Sequence, residues 1–123
     1  MTEKTNSKPY DLEERTYEFA QRVREFVKRL PKTLSNIEDV KQLVRASGSV
    51  GANYIEANEA LSRKDFVMRI KICRKEAKES HYWLRLINTG EDVGLVDERN
   101  GLLQEARELT AIFGAIVQKS AGD

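Results

Sequence analysis

FVMRIKICRKEAKESHYWLRLI, residues 66–87, places Phe66, Ile70, Cys73, Ala77, Ser80, Leu84 and Ile87 at alternating steps of four and three. Such steps keep one stripe of core-type side chains on one side of a helix, because 3.6 residues per turn bring positions three and four apart onto the same face. Three further stretches repeat the pattern: Leu12, Thr16, Phe19, Val23, Phe26, Leu30; then Ile37, Val40, Val44, Ser47, Gly51, Tyr54, Asn58; then Leu102, Ala106, Leu109, Phe113, Ile116. Four such seams in one small domain predict an all-α, antiparallel up-down-up-down four-helix bundle. The pattern averages about 3.5 residues per turn, slightly under the helix's own period, so the helices are expected to wrap left-handed at about 20°.

Composition fits one such domain. A chain of 123 residues can bury one sizeable core, and 40% hydrophobic with 33% charged residues is ordinary for a helical globular protein. Residues 1–10 are polar, and no apolar stretch is long enough to span a bilayer, so a cytoplasmic protein without membrane contact is expected. The single cysteine, Cys73, excludes an internal disulfide and a cysteine-based zinc cage, and its place on a seam marks it as a small core residue. Lone His81 has no paired ligand; neither metal nor cofactor is expected.

Punctuation places the boundaries. Asp11 can cap the first helix and Pro31 falls at its end. Residues 32–34 read as a loop, with Ser35 or Asn36 capping the second helix. Ser62 opens the third helix with Asp65 as its capping-box partner; Asn88, Thr89 and Gly90 close it. Residues 91–96 read as the longest internal loop, and Asp97 starts the fourth helix. The bundle is thus expected over 10–119, between flexible tails at 1–9 and 120–123.

Two glycines and several short side chains in the middle of the second helix, Gly48 and Gly51 among them, cost about 1 kcal/mol per glycine relative to alanine. A close waist against Cys73, Ala77 and Ser80 of the third helix would compensate. On the other side of the second helix Arg45, Ser49, Asn53 and Glu56 fall within a narrow arc and can form a hydrogen-bonded ladder, with Arg45 and Glu56 as an ion pair. A solvated polar face and a protein contact are weighed equally there. A catalytic role ranks below both, because no nucleophile and base stand together.

Charge gives the functional hint. Residues 62–90 hold eight Lys or Arg against three Asp or Glu, whereas residues 91–119 hold three against six, within a chain of net charge +1. Lys64, Lys71, Arg74, Lys75, Lys78 and Arg85 share one face of the third helix with His81 and Tyr82. This face is either a phosphate-binding stripe or a solubilising surface partly neutralised by the acidic fourth helix. Beside it Met68, Ile72, Trp83 and Leu86 widen the apolar arc beyond what one seam needs, as an oligomer interface would.

The segment from Gln42 to Ala57, QLVRASGSVGANYIEA, resembles the second-helix signature of the small four-helix proteins encoded in intervening sequences of bacterial 23S ribosomal RNA genes. Lys64-Asp65-Phe66, Glu76 and Trp83-Leu84 resemble that family's third-helix pattern, and the resemblance spans roughly residues 10–119. It implies a ring-like homopentamer, and a relationship to the accessory variability determinant of diversity-generating retroelements, a basic pentamer that engages nucleic acid and a reverse transcriptase. Arg45, Ser49, Asn53 and Glu56 would be signature positions without a transferable chemical role. The chain departs from the pattern in its near-neutral charge and in Ala57-Asn58, where many members place a glycine. Together the residues read as a non-enzymatic homo-oligomeric accessory or assembly protein with RNA or DNA as candidate partner. The alternatives are a pure protein-interaction scaffold and, third, an enzyme using the Arg45 to Glu56 ladder.

Overall fold

The computed structural model describes residues 11–122, and the expected tail at 1–9 lies outside them, as does Asp123. The described residues form four helices and no strand: α1 (Leu12–Val27), α2 (Leu34–Asn58), α3 (Arg63–Leu86) and α4 (Val93–Gly122). Contacts run α1 with α2, α2 with α3, α3 with α4 and α4 with α1, so each helix has two neighbours around a shared core. The contacts of α3 with its two neighbours are the most extensive, and that of α1 with α4 the slightest.

The caps follow from side-chain chemistry. Asp11 and Ser62 accept from the backbone N–H of Glu14 and Asp65, as expected for the starts of α1 and α3. Two starts differ from the sequence reading. Thr33, not Ser35 or Asn36, caps α2, because its hydroxyl meets the N–H of Asn36 at 3.1 Å. Asp92 accepts from Leu95 N at 3.1 Å, so α4 begins at Val93 and shortens the loop expected over 91–96. Helix α3 ends at Leu86, and the left-handed residue, Gly90 at φ +69°, sits within the following turn.

The α1 seam is buried throughout, the α3 seam from Ile70 to Ile87, and the α4 seam from Leu102 to Phe113. Phe66 and Ile116 pack at the edge, and Val117 enters the core beside Ile116. Cys73 is fully buried, and that burial pushes its thiol up to about 12.

The α2 seam is rotated from expectation. Asn36, Leu43, Ala46, Ser47, Val50 and Ala57 are buried, whereas Ile37 and Asn58 are exposed and Val40, Val44, Gly51 and Tyr54 stand at the margin. The register differs because α2 serves two neighbours and buries polar Asn36. The Asn36 Nδ2 donates to the carbonyls of Pro31 at 2.9 Å and Asn88 at 2.8 Å, and its Oδ1 accepts from Asn88 N at 3.0 Å. One side chain thereby ties the α1–α2 connection to the α3–α4 connection. A polar residue with that task has no signature in hydrophobic spacing.

The rotation also moves the waist. A Cβ on Gly51 would lie 2.8 Å from Thr16 Oγ1 and 3.2 Å from Thr16 Cβ, so Gly51 meets α1 and not α3. Thr16 is buried and its hydroxyl donates to Leu12 O at 2.6 Å, which fixes it against the glycine. Substituting Gly51→Ala should cost about 1–3 kcal/mol despite the better helix propensity, because the added methyl overpacks a fixed neighbour. Chemical denaturation checks this, and Thr16→Ala in the same chain should cancel most of the Gly51→Ala penalty.

Candidate nucleic-acid interface

The interface begins with a buried carboxylate. Glu76 sits on the α2 flank of α3 with its side chain 7% exposed, in a place where an isolated charge would be costly. Arg45 of α2 supplies the compensation: Nη2 donates to Glu76 Oε1 at 3.2 Å and to Glu79 Oε1 at 2.9 Å, while Nη1 donates to Glu76 Oε2 at 3.5 Å. One step along, Asn53 Nδ2 donates to Ser49 O and Oγ at 2.9 and 3.0 Å, and Asn53 Oδ1 accepts from Arg69 Nη1 at 3.1 Å.

The expected ladder is therefore only partly present. Ser49 and Asn53 are linked, but Arg45 turns to α3 and forms no pair with Glu56, which is exposed. The Arg45–Glu56 arrangement that an enzymatic reading needed does not form. The two true partners of Arg45 lie 31 and 34 residues away, beyond any local periodicity.

Of the three acidic residues in α3, Arg45 thus engages two. Two of the four acids of α4, Glu105 and Glu108, are also directed elsewhere. Arg15 of α1 holds Glu105 at 2.7 Å and Glu108 at 2.7 Å. Hydrogen bonds from Gln104 and Arg15 keep the Glu108 carboxyl below its usual range. The α4 residue that reaches α3 is a cation: Arg107 Nη1 lies 3.0 Å from His81 Nε2. Arginine only donates, so His81 accepts there. Partial burial, then Arg107 and Arg85, hold its imidazole below the usual 6.5, leaving it neutral at neutral pH.

Among the described residues the outward cations of α3 have no carboxylate within ion-pair distance, although Glu79 stands at the edge of their groove. Lys64, Lys71, Lys75, Lys78 and Arg85 are exposed and Arg74 is half-buried, its stem lying over Gly114 of α4. None of the six makes an ion pair among the described residues, whereas Lys28 and Lys41 on α1 and α2 pair with nearby glutamates. Lys71, Arg74, Lys75 and Lys78 line a shallow groove of about 590 Å³ with Glu79, Tyr82 and Trp83. A second groove of about 680 Å³ contains Lys64, Met68 and Lys71.

The apolar residues singled out on this helix stand next to the basic ones. Met68 is 47% exposed and Leu86 48%, with Ile72 and Trp83 half-buried. At about 100° per residue they occupy the arc between the basic stripe and α2. Sequence reasoning missed Glu76 as a buried acid and Arg107 as an added cation; it placed Tyr82 on the basic face, where the groove includes it.

The match to known proteins can be set beside this geometry. The family model for the 23S rRNA-intervening sequence protein matches residues 9–115. The chain belongs to that family. A crystal structure of a protein of unknown function from the S23 ribosomal protein family of Bacteroides thetaiotaomicron is similar, with 31% identity and a TM-score of 0.74. The similarity covers 86% of this chain and 97% of that one. None of the curated proteins matches this chain. No helix among the described residues is long and apolar enough to cross a membrane.

Truncating Arg45→Ala should strand the Glu76 carboxylate. A loss of about 1–3 kcal/mol is expected, held to that range because Arg45 is itself half exposed. Adding Glu76→Gln to Arg45→Ala should restore part of it, as read by thermal or urea unfolding.

Proposed function

We propose that this member of the 23S rRNA-intervening sequence family is a non-enzymatic, cytoplasmic, homo-oligomeric accessory protein that binds RNA through the outward face of α3. The observation that carries the reading is the direction of the acids. Glu76 and Glu79 are engaged by α2 and Glu105 and Glu108 by α1, so a helix rich in lysine and arginine keeps its cations available for phosphates. A merely solubilising face next to an acidic helix would be expected to exchange ion pairs with it. Point-charge lysines track a backbone and do not read bases, so binding is expected to depend on structure and charge more than on sequence.

The antiparallel up-down-up-down, left-handed arrangement is part of this proposal. Supporting the antiparallel order, Glu13 at the start of α1 accepts from Asn58 at the end of α2, Asn36 at the start of α2 meets Asn88 beyond the end of α3, and Arg99 near the start of α4 donates to Ile87 O.

Assembly, with a pentamer as the form the family resemblance implies, is the second component. Met68, Ile72, Trp83 and Leu86 form an apolar patch too exposed for a finished core, and the buried Trp83 Nε1 has no acceptor among the described residues. A protein scaffold without nucleic-acid contact is favoured by that patch alone. A relationship to the accessory variability determinant would be expressed through the basic face.

Two measurements separate these readings. Fluorescence anisotropy with structured RNA at low salt should show binding by the parent, abolished by Lys71→Glu, Lys75→Glu and Lys78→Glu together in a chain that stays folded. Equal binding by parent and variant, or none by the parent, leaves the scaffold. Light scattering should give a mass several times the 14.1 kDa of one chain; a monomer at micromolar concentration overturns the assembly.

A further inference from the structure

Tyr82 lies outside the core, and its aromatic ring has no role in a purely charged stripe, yet it stands among the cations of that stripe. Its ring is 52% exposed and meets Trp83 edge-on, with centroids 5.0 Å apart and planes at 77°. Lys71, Lys75, Lys78 and Tyr82 follow one another at steps of four, three and four, so they fall within an arc of about 60°. Together they line the same groove of about 590 Å³. A tyrosine held edge-on by a tryptophan is fixed in orientation while leaving ring surface available. The lysines stand about one, two and three turns before the ring along the helix, placed to hold the phosphates of a strand that runs from the ring along the groove.

We propose that Tyr82 is a stacking platform for an unpaired base, so that the α3 groove takes single-stranded nucleic acid in preference to a continuous duplex. The inference rests on the nucleic-acid reading above and adds the class of strand to it. Every base has a π face and stacks on an aromatic ring whatever its identity, whereas in a duplex that face is already covered by its neighbours. Charge complementarity names the occupant: an apolar peptide would gain the ring but would bury lysines without partners, while a nucleotide offers an anion and a flat apolar surface in one unit.

The test compares a 12-nucleotide oligouridine with an abasic 12-mer carrying the same phosphates and with an RNA duplex. Trp83 is the single tryptophan of the chain and adjoins Tyr82, so tryptophan emission reports on this groove and on the apolar patch beside it. The parent should bind oligouridine about tenfold more tightly than the abasic strand, with tryptophan quenching confined to the strand that carries bases. Tyr82→Leu should bind both strands equally and at the abasic level; Tyr82→Phe should keep the preference, since it keeps the ring. If the parent binds both strands alike while Lys71→Glu, Lys75→Glu, Lys78→Glu abolishes both, the stacking platform is overturned and the phosphate reading stands. If the parent binds the duplex as tightly as oligouridine, the stacking platform is overturned and the phosphate reading stands; if it binds neither strand nor the duplex, both are overturned. A misfolded Tyr82→Leu would leave the decision to the parent's own comparison of base-bearing and abasic strands and to Tyr82→Phe.

Discussion

A carboxylate cannot enter a helix contact unneutralised, and the way Glu76 is neutralised sets the charge distribution of the molecule. Arg45 reaches across from α2 to meet Glu76 and Glu79 together, which fixes α2 against α3 and withdraws two acids from the cations of α3. Arg15 does the same to Glu105 and Glu108 on the far side. The outcome is a nearly neutral chain in which four acids are held in the flanking contacts while most of the bases of α3 face outward. Net charge averages over this arrangement and conceals it.

Legibility in the sequence followed the physics of each feature. Three seams were readable because apolar burial is periodic and the helices carrying them bury mostly apolar side chains. The α2 seam was misplaced by about one residue because its register answers to Asn36, to the Gly51–Thr16 approach and to the polar contact with α3, and none of these is apolar. Asp11 and Ser62 were readable as caps, because a cap acts within one turn. Asp92 was passed over for Asp97, since both precede helix-compatible residues and only the fold decides where α4 begins.

The candidate site was legible as a list and not as an arrangement. The lysines of α3 share a face simply because of their spacing. Whether they keep their charge unpaired depends on where the acids of α2, α3 and α4 point, and those pairings join residues tens of positions apart. Arg107 and Tyr82 acquire significance only once α4 lies beside α3 and Trp83 meets the tyrosine ring edge to face. The expected Arg45–Glu56 pair failed for the same reason, as a cross-helix partner with a buried carboxylate outcompetes an exposed one on the same helix.

Six cations of α3 make no ion pair among the described residues, and in the proposed function phosphates take the place of carboxylates beside them. The salt dependence of RNA affinity measures this directly, because each neutralised phosphate releases counterion. The account predicts a linear fall of log K with log salt concentration, with a slope of about −2 to −4 for each engaged subunit, corresponding to roughly three to six phosphates. A slope near zero, or one unchanged when the lysines of α3 are neutralised, would contradict it.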